Sequence, residues 1–92
     1  MDKIQELRQS IYDCVQHELD HAYNKHGRES WSRHEFYAIL KEEVDELWED
    51  IKSDAPQENV IKEALQVMCV VQRYLETNDR YRGSHPKIKI RD

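Results

Sequence analysis

Three glutamates in the second half of the chain have the types and spacing that a metal site requires. Glu43 and Glu46 stand at positions i and i+3, and Glu63 follows after a spacer long enough for a helical hairpin. Residues at i and i+3 share one face of a helix. Hard divalent cations such as Mg²⁺ prefer carboxylate oxygens as ligands. If the hairpin places Glu63 beside the other two, the three glutamates can hold one cation.

Glu63 is the most informative of the three, because it lies within an apolar stripe. The segment of residues 60–75 contains eleven apolar residues in sixteen. At about 100° per residue, Glu63 shares its face with Val67, Val70 and Tyr74. An unpaired buried charge costs several kcal/mol, so Glu63 needs a cation beside it. That cation is either a metal ion or a side chain such as Lys62.

The neighbouring acidic run supplies the other carboxylates. Six of the nine residues from Glu42 to Asp50 are acidic. Helical projection places Glu43, Glu46 and Asp50 at the edge of the apolar face, and the other acids of the run further towards water. A solvated acidic helix face would by itself explain Glu43 and Glu46, since such runs are common. The position of Glu63 favours a metal site instead.

Three helical patterns position these residues, and no strand pattern is present. They cover about residues 3–23, 32–52 and 56–77. Ser32 and Glu35 form a capping box at the start of the second helix, and Pro56 suits the first turn of the third. The short turn at residues 53–57 predicts that the second and third helices pack antiparallel. We expect an all-α fold, an antiparallel bundle of three main helices.

The burial pattern predicts a central third helix and an incomplete core. The third helix is apolar nearly all round, so several neighbours must cover it. A chain of 92 residues forms one small domain of marginal stability. We therefore expect oligomerisation, as a homodimer or homotetramer, to complete the core. On the first helix the apolar face comprises Ile4, Leu7, Ile11, Val15, Leu19 and Ala22. On the second helix the residues expected to be buried are Phe36, Leu40, Val44, Leu47, Trp48 and Ile51.

Composition narrows the class of protein. The net charge of −5 argues against a nucleic-acid-binding protein. Two cysteines, Cys14 and Cys69, lie within helical patterns and are predicted to be buried thiols in a reducing cytoplasm. No signal peptide is present, and the longest apolar run is too short to cross a membrane, so we expect a soluble, cytoplasmic protein without membrane partners. Residues 1–78 form the expected domain, and residues 79–92 a basic tail.

The acidic motifs resemble those of a known family. The second helix carries E-E-x-x-E as Glu42, Glu43 and Glu46, and the third carries E-x-x-Q as Glu63 and Gln66. This pattern resembles the MazG-like, all-α nucleoside triphosphate pyrophosphohydrolases, in which E-E-x-x-E is followed by E-x-x-D. The sequence over about residues 24–77 is similar to a short phage and bacterial subgroup of that superfamily.

The resemblance implies a Mg²⁺-dependent reaction, with Mn²⁺ as a substitute, that cleaves a nucleoside or deoxynucleoside triphosphate to a monophosphate and pyrophosphate. It makes Glu42 and Glu43 the catalytic candidates. Gln66 replaces the family's aspartate with an amide, which can ligate Mg²⁺ but carries no charge, and Asp50 could supply the missing charge. The metal-ligand candidates are Glu43, Glu46, Glu63, Gln66 and Asp50.

Four other residues are candidates for binding the nucleotide substrate. Lys25 could bind phosphate, Trp31 could stack on a base, and His34 could form a hydrogen bond to the nucleotide. Arg73 could grip phosphate oxygens. Each has a structural alternative: Trp31 as a packing residue, Lys25 and His34 as solvated groups, and Arg73 as the ion partner of Glu63 or Glu76.

One further motif suggests a different chemistry. Residues 17–21 read H-E-L-D-H, a match to the H-E-x-x-H of zinc metallopeptidases. Projection places His17 and His21 on the polar side of the helix and at its boundary, away from any predicted cleft. We therefore expect two exposed histidines and no zinc site.

Two interpretations compete with a pyrophosphohydrolase. The first is a binding or regulatory module that keeps the fold and binds a nucleotide or a partner without hydrolysis. The second is a helical interaction protein without a metal site, which explains the apolar third helix but leaves Glu63 unexplained.

Overall fold

A computed structural model of the chain describes residues 2–78. It contains helices α1 (Lys3–His26), α2 (Arg33–Lys52) and α3 (Gln57–Thr77), with no strand in the described range. The all-α prediction is thereby confirmed. No helix within residues 2–78 is long and apolar enough to cross a bilayer. The predicted basic tail at residues 79–92 lies outside the described residues.

The helix ends follow the local sequence. The predicted capping box is present: Ser32 Oγ accepts a hydrogen bond from the backbone N–H of Glu35, and Glu35 accepts one from the backbone N–H of Ser32. These bonds lower the pKa of Glu35. Helix α1 continues to His26, three residues beyond the expected end, and stops at Gly27, whose φ of 74° suits glycine. Pro56 occupies the N-cap position of α3, just before its first turn, and makes no side-chain capping hydrogen bond.

Helix α3 is the central element, as predicted. It packs against α1 on one side and α2 on another, whereas α1 and α2 have no Cα atoms within 8 Å of each other in the described chain. The core at the α1–α3 contact contains Val15, Leu19 and Cys69, with Leu65 packed beside them. Cys69 is a buried thiol as expected, but Cys14 is exposed, so that part of the prediction is wrong.

Helix α2 is less buried than its apolar face predicts. None of its residues is fully buried, and Val44, Trp48 and Ile51 are 44%, 54% and 47% exposed. The prediction was wrong for these three because α2 packs against α3 alone. The apolar face of α2 is wide enough to contact two helices, and α3 therefore covers only about half of it. Its covered half includes Phe36, which stacks on Tyr74 with ring centroids 4.0 Å apart.

A short turn fixes the α2–α3 hairpin. The backbone N–H of Ser53 bonds to Glu49 O, and that of Ala55 bonds to Asp50 O at 2.9 Å. Asp54 occupies the left-handed region with φ of 55°, which aspartate tolerates better than most residues. The turn therefore brings the second half of α2 opposite the first half of α3, as the antiparallel prediction requires.

Candidate functional site

The hairpin brings the three predicted glutamates together. Glu43 and Glu46 on α2 and Glu63 on α3 each offer a carboxylate oxygen within 4.8 Å of the others. It is the only such group of three or more His, Cys, Asp or Glu side chains among residues 2–78. The oxygens that share an octahedral Mg²⁺ lie about 3–4 Å apart, so small side-chain movements would suffice for shared ligation. We refer to these three residues as the carboxylate cluster.

The carboxylate cluster is electrostatically strained without a cation. Burial, followed by the charges of Glu46 and Asp50, raises the pKa of Glu63. Burial, followed by the charges of Glu46 and Glu63, likewise raises the pKa of Glu43. Oε2 of Glu63 is buried and has no hydrogen-bond partner among the described residues. A carboxylate oxygen in that condition needs either a proton or a cation.

These properties fit a hard divalent cation. The cluster contains only oxygen donors, which suit Mg²⁺ or Mn²⁺ better than softer metals. A divalent cation would supply the partner that Glu63 Oε2 lacks and would neutralise the mutual repulsion of the three carboxylates. No lysine or arginine in the described chain makes an ion pair with any of them.

A cleft of about 630 Å³ opens beside the carboxylate cluster. Glu43 belongs to both, because its side chain lines the cleft as well as facing Glu46 and Glu63. This volume is in the range of natural small-molecule sites. The cleft is lined by both acidic and basic groups and by apolar residues from all three helices. Its charged lining residues include Glu18, Lys25, Glu29, Glu42, Glu43 and Arg73.

Arg73 presents a buried positive charge in the cleft wall. The guanidinium lies 4.8 Å from the Trp31 ring centroid and 5.8 Å from that of Tyr23, both cation–π distances. Its Nη2 donates a long hydrogen bond of 3.5 Å to Gly27 O, and its buried Nε has no partner among residues 2–78. Arg73 is only 9% exposed. A buried guanidinium held by aromatic faces, without a carboxylate, is a suitable site for an anion.

The predicted alternative role for Arg73, an ion pair with Glu63 or Glu76, is wrong. No salt bridge joins Arg73 to either residue within the described part of the chain. Glu76 instead accepts hydrogen bonds from Tyr23 Oη at 2.7 Å and from Gln72 Nε2 at 2.8 Å. Burial and the bond to Glu76 raise the pKa of Tyr23. The carboxylate that could have neutralised Arg73 is therefore engaged elsewhere.

Glu18 is a residue of this region that the sequence argument missed. Its Oε2 accepts a hydrogen bond of 2.8 Å from Gln66 Nε2, and both side chains line the cleft. Since the amide nitrogen of Gln66 is bound to Glu18, the amide oxygen is the atom left to approach a cation. The signal was present: Glu18 projects beside Val15 and Ala22, on the apolar face of α1, as Glu63 does on α3.

The other predicted site residues differ in whether they line the cleft or belong to the carboxylate cluster. Glu42 and Lys25 are exposed and line the cleft. Trp31 is half-buried and lines it as well. His34 is exposed and does not line the cleft. Asp50 lies outside the carboxylate cluster, although its charge acts on Glu63.

The two histidines of the H-E-x-x-H motif are both exposed. His21 lies at the cleft, whereas His17 lines a smaller pocket of about 280 Å³ between α1 and α3. Within residues 2–78 they form no group of three potential metal ligands. The geometry gives no support to a zinc peptidase.

Comparison with known proteins adds no family assignment. No family model matches the chain, and neither a curated protein nor a solved structure matches it significantly. The carboxylate cluster, the cleft and the motif resemblance are therefore the features that bear on function.

Proposed function

We propose that this protein is a Mg²⁺-dependent nucleotide pyrophosphohydrolase, which cleaves a nucleoside or deoxynucleoside triphosphate to a monophosphate and pyrophosphate. The cation would be held by Glu43, Glu46 and Glu63, with the amide oxygen of Gln66 as a further ligand. The nucleotide would occupy the adjacent cleft. This is the reaction that the resemblance of the two acidic motifs to MazG-like enzymes implies.

One observation carries the proposal. In the described chain, the buried side-chain polar atoms without a hydrogen-bond partner are Glu63 Oε2 and Arg73 Nε. Glu63 is acidic and belongs to the carboxylate cluster. Arg73 is basic and lies in the wall of the adjacent cleft. A cation complexed with a polyphosphate offers a positive charge to the first and an anionic oxygen to the second. A metal alone would leave Arg73 unsatisfied, and a simple anion would leave Glu63 unsatisfied.

The chain's own residues suit this substrate. Arg73, whose guanidinium lies over the rings of Tyr23 and Trp31, could donate hydrogen bonds to phosphate oxygens that enter the cleft. Trp31 contributes an aromatic surface to the cleft, and the exposed Lys25 contributes a positive charge. Glu42 and Glu43 line the same cleft, where a carboxylate can accept a proton from an attacking water.

The bound Mg²⁺ would supply Lewis-acid polarisation of the phosphate oxygens and orientation of the attacking water. The three carboxylates would fix its position, and the apolar residues around Glu63 would limit access of bulk water. Arg73 would stabilise negative charge that develops on phosphate oxygens in the cleft. Positioning and charge stabilisation account for most of the catalysis in phosphoryl-transfer reactions.

The decisive experiment is incubation of the purified protein with a panel of nucleoside and deoxynucleoside triphosphates in Mg²⁺. We expect release of pyrophosphate, not orthophosphate, for at least one of them. Glu63→Ala should lower this rate on the order of 1,000-fold, because it removes the ligand whose oxygen has no other partner. Glu49→Ala is the matched control, since Glu49 is an exposed α2 acid paired with Lys52, and its rate should equal that of the wild type.

The regulatory alternative makes a different prediction for the same panel. A protein that binds a nucleotide in Mg²⁺ but releases no pyrophosphate would be a binding module on this fold. A protein that neither binds nor hydrolyses any member of the panel would contradict both functions. Arg73→Lys separates substrate binding from chemistry: it should raise KM more than it lowers kcat, because lysine keeps the charge and loses the planar donor pair.

A further inference from the structure

Glu76 is the carboxylate on α3 best placed to pair with Arg73. A helical residue meets those three and four positions away, and for Arg73 these are Cys69, Val70, Glu76 and Thr77. Glu76 is the only acid among the four. Opposite charges at i and i+3 on a helix attract each other. Because Arg73 is buried, its charge is less screened by water and gains more from a partner than an exposed charge does.

Both carboxylate oxygens of Glu76 are nevertheless occupied by other side chains. Oε1 accepts a hydrogen bond of 2.7 Å from the hydroxyl of Tyr23 on α1. Oε2 accepts one of 2.8 Å from Nε2 of Gln72. Within residues 2–78, Glu76 forms no salt bridge with Arg73. The pair that the helix spacing favours is therefore absent, and a side chain of α1 holds the carboxylate instead.

Tyr23 lies close to both of these charged groups. Its hydroxyl binds Glu76, and its ring centroid lies 5.8 Å from the guanidinium carbon of Arg73. Burial and the bond to Glu76 raise the pKa of the Tyr23 hydroxyl, so this group stays protonated at neutral pH and remains a donor. Tyr23 therefore engages the carboxylate without adding a charge to the cleft.

We infer that Tyr23 is a positioning residue, which keeps Glu76 away from Arg73 and leaves the guanidinium available to an anionic ligand. This role rests on the proposed function, in which the anion is the polyphosphate of a nucleotide. Nε of Arg73 is buried and has no hydrogen-bond partner among residues 2–78. That is the state expected of a guanidinium whose neighbouring carboxylate is bound elsewhere. If Glu76 paired with Arg73, a phosphate oxygen would first have to displace it.

Arg28 is a second cation near Tyr23, and therefore near a Glu76 that the tyrosine releases. Its guanidinium carbon lies 4.6 Å from the Tyr23 ring centroid, and the residue is exposed. A salt bridge between two exposed side chains contributes little, because water screens both charges. Arg73 is buried and lies on the same helix as Glu76, so it is the stronger competitor for the released carboxylate.

Tyr23→Phe tests this role, because it removes the hydroxyl and keeps the aromatic ring beside Arg73. If Glu76 then occupies the guanidinium about nine-tenths of the time, the apparent affinity for an anion falls about 10-fold. Calorimetric titration with inorganic tripolyphosphate in EDTA measures this affinity without metal or turnover. Tyr12→Phe is the matched control and should bind as the wild type does, because Tyr12 is 57% exposed on α1 and does not line the cleft.

A second substitution distinguishes this role from simple packing. Glu76→Gln removes the charge that competes for Arg73, so Tyr23→Phe combined with Glu76→Gln should regain most of the lost affinity. Removal of a negative charge also favours any anion in the wild-type background, but there the gain should be smaller. Equal gains in the two backgrounds would overturn the inference. It would also be overturned if Tyr23→Phe bound tripolyphosphate as tightly as the wild type, or if the wild type did not bind it.

The Nε–H resonance of Arg73 in NMR spectra gives a second measurement that needs no ligand. A guanidinium N–H that donates to a carboxylate has a different proton shift from one that has no partner. Arg73→Lys identifies the signal, because it removes it. We expect Tyr23→Phe to move this resonance, and the addition of Glu76→Gln to return it towards its wild-type position. A resonance that Tyr23→Phe does not move would contradict the role of Tyr23.

Failure of this role and failure of the proposed function are distinguishable. If no triphosphate releases pyrophosphate but Glu76→Gln rescues tripolyphosphate binding by Tyr23→Phe, the proposed reaction is wrong and the role of Tyr23 stands. In an active enzyme, Tyr23→Phe should raise KM with little change in kcat, and Glu76→Gln should restore KM. Hydrolysis with an unchanged KM in Tyr23→Phe would support the proposed reaction and overturn the role of Tyr23.

Discussion

Helix α3 makes two helix contacts that differ in how their polar groups are satisfied. At the α1–α3 contact, Glu18 accepts a hydrogen bond from Gln66, Gln16 exchanges bonds with Gln72, and Tyr23 donates to Glu76. At the α2–α3 contact, the carboxylate cluster makes no salt bridge within residues 2–78, and Oε2 of Glu63 is buried without a hydrogen-bond partner there.

This difference separates the hydrophobic core of the domain from the proposed functional site. The α1–α3 contact contains the most deeply buried hydrophobic core residues, and hydrogen bonds join the Glu18, Gln16 and Tyr23 side chains of α1 to α3. The α2–α3 contact keeps a group of like charges that lowers stability unless a ligand arrives. Groups that cost stability and remain in a fold are characteristic of functional sites.

The largest expected effect of a substitution on stability is at the α1–α3 contact. Leu19→Ala should lower the free energy of unfolding by about 3 kcal/mol, because it removes a side chain that is only 2% exposed from the core. Urea denaturation at fixed protein concentration measures the change. Leu7→Ala on the same helix should cost less than about 0.5 kcal/mol. Equal losses for the two variants would contradict the assignment of stability to this contact.

A smaller effect, on metal affinity, is expected for Glu18 of α1, whose partner Gln66 is a candidate metal ligand on α3. In the wild type, the Glu18 carboxylate can only accept a hydrogen bond, so it binds the amide nitrogen of Gln66 and leaves the amide oxygen available to a cation. In Glu18→Gln, the new amide can also donate a hydrogen bond to the oxygen of Gln66. The orientation of the Gln66 amide is then no longer fixed. We expect the apparent affinity for Mg²⁺ to fall about 10-fold, as for other residues that orient a metal ligand. A thermal-shift titration with Mg²⁺ measures it.

The control for this prediction is Gln16→Ala, which removes a polar contact of the same α1–α3 packing away from the carboxylate cluster. Its Mg²⁺ affinity should equal that of the wild type. If both variants bind Mg²⁺ as the wild type does, Glu18 has no role in positioning Gln66.

The smallest expected effect is the pH dependence of stability in the absence of metal. In the folded state the pKa of Glu63 is raised above 4.5, so the folded protein binds this proton more tightly than the unfolded chain. The resulting stabilisation is fully present below the pKa of the unfolded chain and is lost as pH rises through the folded-state pKa. In EDTA, Glu63→Gln should therefore lose less stability than the wild type between mildly acidic and neutral pH.

Adding Mg²⁺ should reverse this loss for the wild type. At ten times its dissociation constant, Mg²⁺ would stabilise the protein by about 1.4 kcal/mol, or several degrees in Tm for a domain of this size. Glu63→Gln should show no such gain. A wild type whose Tm is indifferent to both Mg²⁺ and Mn²⁺ would remove the basis for a metal site at the α2–α3 contact.

The sequence predicted the parts of this molecule that depend on local patterns. The capping box at Ser32, the turn before α3 and the central position of α3 each follow from a few neighbouring residues. The approach of Glu63 to Glu43 and Glu46 was also predictable, because an antiparallel hairpin leaves little choice of register. These elements needed no knowledge of how α1 packs.

The parts that depend on α1 were not predictable from the same patterns. The pairing of Glu18 with Gln66 and the stacking of Arg73 against Tyr23 and Trp31 require the packing of α1 on α3, which helical periodicity does not specify. The apolar face of α2 was expected to be buried because periodicity shows which residues are apolar, but not how many neighbours cover them. Trp48 is exposed for that reason.

The stack of Phe36 on Tyr74 has a consequence for ion selectivity. It ties the far end of the α2–α3 hairpin, while the turn at Asp54 ties the near end, and the carboxylate cluster lies between these two ties. Both ties oppose a spreading of the helices that would relieve the repulsion of the three glutamates. If the proposed metal site exists, carboxylates held by ties on both sides would discriminate among cations by radius more strongly than carboxylates on freely separating helices.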